Sequence, residues 1–415
     1  MLTTGQILPV VVEKPAAGGS MIARVDGQVV LVAGAIPGER VRARIDRVGK
    51  GVAYAQTVDV DEASPDRRAF TDPSCGGCLY GHISYPRQLA IKSQVIDDAF
   101  RRIGRLPLKA AVSVAASPEH GYRMRARLHV RGGRLGFFRE GTHDLCDVRQ
   151  TGQLLPAACD TLDRLQEGIR SLGLDGIREL ELAENVDASE RVVFADAATD
   201  IDPRAGERLA ATAGLTGFLS AFGSAGEPHV VDRIAGGVTL RRHVLAFFQG
   251  NRHLLADFVS HVVDQVPPSS SALDLYAGVG LFALSAAAVR GARVTAVEGD
   301  RYAAADLAAN ASAMAGVVSA VHQSVEDYLR GAPARAAESS VVIADPPRTG
   351  LSPAAVTGIL ALKAARIVYV SCDIATLARD ARRLADAGWA IDRIDAFDLF
   401  PNTPHVETVA VFTRL

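Results

Sequence analysis

The sequence predicts an α/β protein in three parts. A small β-barrel comes first, then a mixed α+β region, then a seven-stranded Rossmann-like domain. Three observations carry this. Five short strand-like runs crowd into the first sixty residues, with turn residues between them. From about residue 245 onward, strand and helix patterns alternate regularly, as in a parallel sheet covered on both faces. In that stretch Asp274-Leu275-Tyr276-Ala277-Gly278-Val279-Gly280 follows a strand and opens a helix, where open α/β sheets bind their ligands.

Taken in order, the barrel strands are QILPVVVEK, SMIARVDG, QVVLVAGA, ERVRARIDRV and VAYAQTVDV, in a first domain spanning 1–62. Gly18-Gly19, Asp26-Gly27 and Pro37-Gly38 supply turns between them. Barrels of this size bind oligonucleotides. Arg40, Arg42 and Arg44 alternate as one face of a strand would. The central domain, 63–240, holds a CGGC pair, a helix from about Tyr85 to Gly104, and strand-like runs RARLHVRG and RLGFFRE; residues 180–235 carry few motifs. Between Arg101 and Arg149 eleven Lys or Arg stand against four Asp or Glu, a cationic cluster of the kind phosphate contacts need. The third domain, 241–415, has strand candidates ALDLY, RVTAVE, SAVHQ, SVVIAD, RIVYVS, IDRIDAF and HVETVAVF.

Composition bounds the rest. With 415 residues and 48% apolar content the chain reads as a globular protein of several domains. No apolar run approaches the ~18 residues of a membrane span, and the opening residues do not read as a secretory signal. The expected address is the cytoplasm, without membrane partners, and a monomer is the default. Five cysteines, an odd number, argue against a disulfide framework, so reduced thiols are expected.

The chemistry gathers in four motifs. The next strand after the glycine turn ends in Glu298, placed to accept the ribose hydroxyls of an adenosine, which points to S-adenosylmethionine or a dinucleotide. Asp345-Pro346-Pro347-Arg348 follows a strand, so Asp345 faces the ligand crevice; Arg348 in place of an aromatic residue speaks against chemistry on an exocyclic amine. Cys372 ends the strand RIVYVS before a helix, whose N-terminus would favour the thiolate. Glu407 lies in the last, largely apolar strand, where a carboxylate needs a reason to be. One thiol and one carboxylate beside a methyl donor are the minimum kit for methylating carbon 5 of uracil. The thiolate activates the ring by adding to carbon 6, and the carboxylate then removes the carbon 5 proton.

Two resemblances extend this reading. VDGQVVLVAGAIPGERVRARI resembles the TRAM domain, an RNA-binding barrel appended to RNA-modifying enzymes. AFFQGN, DLYAGVG, AVEGD, ADPPRTGL, YVSCDIATLARD and DLFPNTPHVET together resemble the uridine-5 methyltransferases of ribosomal and transfer RNA. That resemblance implies a class I S-adenosylmethionine-dependent methyltransferase acting on RNA, with 23S ribosomal RNA favoured over transfer RNA. It implies Cys372 as nucleophile and Glu407 as base, cofactor contacts from Gln249, Tyr276, Leu281, Glu298, Ser324 and Asp345, and Phe247 with Arg348 against the target base.

Many members of that family bind a [4Fe–4S] cluster through Cys-x5-Cys-x2-Cys and a fourth Cys. Cys75 and Cys78 remain here, but Ala69 and Thr151 stand at the other two positions, so no cluster is expected and the pair reads as a remnant. Cys146 and Cys159 leave a rearranged metal site as the alternative. The rival functions are a same-fold enzyme acting on another base, and a non-catalytic RNA-binding or assembly protein.

Overall fold

A computed structural model of the chain describes residues 2–69, 74–331 and 340–415. Strands β1 (Ile7–Pro15), β2 (Met21–Val25), β3 (Gln28–Ala33), β4 (Arg40–Val48) and β5 (Val52–Glu62) close into a barrel in the order β1-β2-β3-β5-β4. Period-two alternation decides which side chains enter it. Val41, Ala43 and Ile45 are buried in the barrel core, while Arg40, Arg42 and Arg44 project outward from the same strand. Two of these arginines are already matched, Arg40 with Glu62 at 3.2 Å and Arg44 with Asp46 at 2.9 Å. The barrel's basic face is therefore weaker than its arginine count suggests.

The central region opens with α1 (Tyr85–Ala99), extended by a wider turn over Phe100–Gly104 and stopped by Arg105 at φ 52°. After the short β6 (Val114–Ala115), a seven-stranded sheet runs β13-β12-β11-β10-β7-β8-β9. Its strands are β7 (Arg125–Arg131), β8 (Arg134–Phe138), β9 (Leu145–Cys146), β10 (Ile177–Glu184), β11 (Arg191–Ala197), β12 (Gly217–Ser220) and β13 (Gly223–Gly226). Helices α2 (Pro156–Ser171) and α3 (Pro203–Ala213) give Leu162, Leu165, Ile169 and Leu209 to the core beneath it. The opaque stretch 180–235 thus supplies most of one half of this sheet. A hairpin of β14 (His229–Ile234) and β15 (Val238–His243) leads into the last domain.

One expectation is overturned here. Cys75 and Cys146 form a disulfide, with Cα atoms 5.8 Å apart, where reduced thiols were expected. The pairing is a product of the hairpin. Cys146 pairs across β8 with Phe137, and Cys75 bridges Arg139 just beyond that strand, so two residues 71 apart in sequence meet. An odd cysteine count is no bar to one bridge, and the spacing alone could not reveal it.

The third domain carries α4 (Leu255–Val263), then β16 (Ser271–Leu275), α5 (Leu281–Arg290), β17 (Arg293–Glu298), α6 (Arg301–Ala311), β18 (Val318–His322), α7 (Val325–Arg330), β19 (Val341–Ala344), α8 (Pro353–Ala361), β20 (Arg366–Ser371), α9 (Ile374–Asp386), β21 (Trp389–Phe397) and β22 (Glu407–Arg414). The sheet order is β18-β17-β16-β19-β20-β22-β21-β6. The seven expected strands are all present. β22 inserts antiparallel between β20 and β21, and the eighth strand is the unforeseen β6, donated by the central region. Strands β16, β19 and β20 are apolar almost throughout and buried, as a sheet covered on both faces requires. Among the described residues no helix is long and apolar enough to cross a membrane.

Candidate active site

The cleft lies at the carboxyl edge of this sheet, and its cofactor side is made by the turn after β16. Tyr276 takes φ 60°, a left-handed conformation rare for a side chain of its size, and Gly278 (φ 56°) and Gly280 (φ 97°) complete the bend. A Cβ on Gly280 would sit 2.3 Å from Leu284 Cδ1, so only glycine allows this approach of turn to helix. A Cβ on Gly278 would meet nothing within 4 Å, so the turn is roofed by open space.

The Glu298 carboxylate accepts the N–H of Gly278 at 2.7 Å and that of Asp300 at 2.7 Å. Each oxygen keeps a lone pair for a ribose hydroxyl. Gln249 Nε2 donates to Asp345 at 3.3 Å, joining two further expected residues. Burial raises the Asp345 carboxyl to about 7, with Gln249 opposing and Glu298 reinforcing the shift. Beneath the turn, burial and then the Asp345 charge hold the fully buried Asp274 carboxyl well above the carboxylate range.

The Tyr276 hydroxyl donates to Glu326 at 3.4 Å, which also accepts from Ser352 at 2.8 Å, beside a cavity of about 410 Å³. Leu281, the first residue of α5, buries its side chain in the core, so only its backbone is available to a ligand. Ser324 caps α7, accepting the Asp327 N–H at 3.1 Å.

The reaction side is set by strand register. β20 and β22 pair Ser371 with Thr408, so Cys372 and Glu407 leave the ladder at the same end, near enough for the Glu407 charge to act on the thiol. β19 and β20 pair Ala344 with Tyr369, so Asp345 stands one strand away at the same edge. Cross-strand neighbours lie about 5 Å apart, within reach of one bound base. Phe247, two residues before Gln249, is 62% exposed, with the Arg125 guanidinium 6.0 Å from its ring centre. Arg348 is exposed and acts electrostatically on both Cys372 and Glu407.

The electrostatics correct a second expectation. The helix N-terminus does not make Cys372 a resting thiolate. Burial pushes the thiol up to about 12, and Glu407 and Asp345 push the same way, with Arg348 opposing. Asp373 caps the helix by accepting the Thr376 N–H at 2.8 Å, which further blunts the field of that terminus. Glu407 is itself buried and held well above its ordinary range, first by burial and then by Asp345, against Arg348. Burial thus disfavours the charged form of both the thiol and the carboxyl, and the Glu407 charge opposes ionisation of the thiol.

Comparison with known proteins now decides the family. A protein of Pseudomonas putida named 23S rRNA (uracil(1939)-C(5))-methyltransferase RlmD is 32% identical across 97% of this chain and 92% of its own. The chain belongs to the RNA uracil-5 methyltransferases. A Halomonas elongata protein of the same name is 33% identical over 96% of this chain and 88% of its own. The tRNA (uracil-5-)-methyltransferase family model matches residues 233–415, and the TRAM domain model matches 2–58. The crystal structure of Pyrococcus abyssi tRNA (uracil-54, C5)-methyltransferase in complex with S-adenosyl-L-homocysteine superposes with a TM-score of 0.79. It is 25% identical, over 97% of this chain and 99% of that one. The enzyme is thus an S-adenosylmethionine-dependent RNA uracil-C5 methyltransferase. The open space over Gly278, the ribose-ready Glu298 and the acidic trio with Asp274 and Asp345 fit that cationic cofactor.

The remnant pair Cys75 and Cys78 shares one core with Cys146 and Cys159, and Cys78 and Cys159 are buried outside the disulfide. Ala69 is exposed, and Thr151 is buried with its hydroxyl donating to Val148 O at 2.7 Å. Among the described residues no group of three or more His, Cys, Asp or Glu is arranged to hold a metal ion.

Sequence reasoning passed over His405, inside the quoted DLFPNTPHVET. It lines a cavity of about 120 Å³ together with Cys372, and burial, then Arg348 and Lys92, lowers it to about 4. The same cavity is lined by the barrel turn Ala16–Gly18, a contact between distant parts of the chain that no local pattern announces.

Proposed function

We propose that the enzyme methylates one uridine of ribosomal RNA by covalent catalysis, with Cys372 as nucleophile and Glu407 as base. The observation that supports this reading is the β20–β22 pairing of Ser371 with Thr408, beside which Cys372 and Glu407 lie close enough for the carboxylate charge to raise the thiol. Cys372 releases its proton to water and adds as thiolate to carbon 6, and the electron pair of the former carbon 5–carbon 6 double bond makes carbon 5 the nucleophile. Arg348 supplies the positive charge that favours both the thiolate and the developing enolate oxygen. Bound S-adenosylmethionine supplies an electrophilic methyl group, and Gln249, Tyr276, Leu281, Glu298, Ser324 and Asp345 would hold it. Glu407, ionised for this step, then removes the carbon 5 proton; the carbon–sulfur bond breaks and Cys372 leaves.

The uridine must leave its stack to reach this edge, and exposed Phe247 offers a ring for it to rest on. Residues 1–62 and 63–240 would grip the RNA backbone while 241–415 performs the transfer. Ribosomal RNA is favoured because relatives that match along nearly the whole chain are named for a 23S rRNA uracil. The test is nucleoside mass spectrometry with fragment mapping on unmodified ribosomal and transfer RNA. 5-Methyluridine at one ribosomal position is the expected result. Methylation confined to transfer RNA would overturn the assignment of substrate.

A further inference from the structure

The segment that ends in Glu407 is held mainly by other parts of the chain. Lys92 of α1 forms a fully buried ion pair with Asp398 at 2.5 Å and donates to Phe400 O at 3.2 Å. The Tyr122 hydroxyl donates to Pro401 O at 3.3 Å. Asn402 is the centre of this attachment. It sits at φ 64° and is buried. Its Oδ1 accepts from Arg68 at 2.6 Å and from Gln88 Nε2 at 2.8 Å. Its N–H donates to Gln88 Oε1 at 2.9 Å, and its carbonyl accepts the Tyr80 N–H at 2.8 Å.

Gln88 is completely buried, and its Nε2 also donates to Tyr80 O at 3.1 Å and Ile83 O at 3.0 Å. One amide thus binds the segment of the base to the loop that follows CGGC. That loop has a second anchor five residues before Tyr80, at the Cys75–Cys146 disulfide, where Gly76 N–H also donates to Phe138 O at 3.1 Å. Between the anchors Gly77 packs against the Gln153 side chain, whose Nε2 a Cβ there would meet at 2.1 Å.

We propose that residues 75–88 are a latch that positions the catalytic base. The disulfide closes one end, and the reciprocal Gln88–Asn402 amide pair grips the other. Gln88 is then a positioning residue. The proposal rests on the assignment of Glu407 as base. A base displaced by about 1 Å can lose on the order of 100-fold in rate. The latch is also sensitive to redox state. A dithiol reductant, oxidised to its own cyclic disulfide, would deliver two electrons and two protons and leave Cys75 and Cys146 as separate thiols. Both are buried, so reduction waits on opening of the loop.

The test uses the full-length enzyme. Asn402→Gly keeps the left-handed backbone and its backbone hydrogen bonds but removes the Oδ1 acceptor. Cys146→Ser, and wild type incubated with excess dithiol, open the other end. Hydrogen exchange of the 399–408 amides should accelerate in all three, about tenfold or more in Asn402→Gly. Single-turnover transfer should fall about ten- to a hundredfold in Asn402→Gly and several-fold in the other two, consistent with a displaced base. The fraction of enzyme caught as denaturation-resistant RNA adduct should rise, while cofactor Kd stays within about twofold. Unchanged exchange in Asn402→Gly and Cys146→Ser would overturn the latch. So would a rate loss matched by loss of cofactor binding with no extra adduct. Accelerated exchange with an unchanged adduct fraction would keep the latch and instead count against Glu407 as the base.

Discussion

On the cofactor side of the cleft, Glu298 is held by the Gly278 amide, 20 residues away, and by the amide of Asp300, two residues away. On the reaction side, the segment leading to Glu407 is held by Gln88, 314 residues from its partner Asn402, and by Lys92, 306 from Asp398. The first arrangement is backbone geometry between two adjacent strands, β16 and β17. The second joins the central region to the last domain, and burial disfavours the ionised forms of its two reacting groups. Cofactor binding and transfer should therefore respond to different perturbations.

The strongest separation should come from Cys372→Ala. Transfer should drop by about 10⁴-fold or more, as expected when a covalent nucleophile is removed, with cofactor affinity nearly unchanged by calorimetry. Wild-type turnover in this variant would remove the nucleophile from the scheme. Glu407→Gln comes next, with a loss of about 10²–10⁴-fold and accumulation of a protein–RNA adduct on denaturing gels. Absence of that adduct would reassign the base.

Varying pH should divide the two sides. The thiol of Cys372 is pushed up to about 12 and Glu407 is raised as well, so their reactive, deprotonated forms become more populated as pH rises. Single-turnover rates at saturating cofactor should climb from pH 6 to 9 by up to about tenfold per unit. Cofactor affinity should instead weaken as pH falls through about 7, where Asp345 takes up its proton. A rate that levels off with the affinity would show that a single ionisation governs both sides.

The smallest effect expected is that of Gly280→Ala. It forces a side chain into φ 97° and against Leu284, lowering stability by about 1–3 kcal/mol in a thermal melt. Cofactor affinity should fall with it, while the transfer rate of bound enzyme changes little.

The same division explains what the sequence made legible. Tyr276–Gly280, Glu298 and Asp345 follow strands whose apolar runs are visible in the chain, and each role depends on neighbours within a few tens of residues. Cys372 and Glu407 were also visible, because a thiol and a carboxylate at strand ends are chemically conspicuous. The burial that disfavours their ionised forms was not. The helix-terminus argument considered one nearby field, while the folded protein adds burial and two carboxyls from neighbouring strands. The Cys75–Cys146 bridge was hidden for a similar reason, since it needs the β8–β9 hairpin to bring the two residues together. Strand β13 reads only GSAG and has no pattern of its own. Asn402 gave one faint cue, as asparagine tolerates left-handed backbone better than most residues.

Strand β6 has a further consequence. Its two residues, Val114 and Ala115, come from the central region yet pair with Ala396 and Phe397 at the rim of the catalytic sheet, and Phe397 lies across from Glu407. Farther along the same rim Arg393 and Asp395 stand as charged guards, but the Ala396–Phe397 end has none of its own. A fragment beginning after β15 would carry every candidate catalytic residue and still present a bare apolar strand end to its neighbours in solution, an invitation to stack into aggregates. This methyltransferase is therefore poor material for domain shuffling. A recombinant that keeps the catalytic half must bring those two residues along, or find another chain to shield its edge.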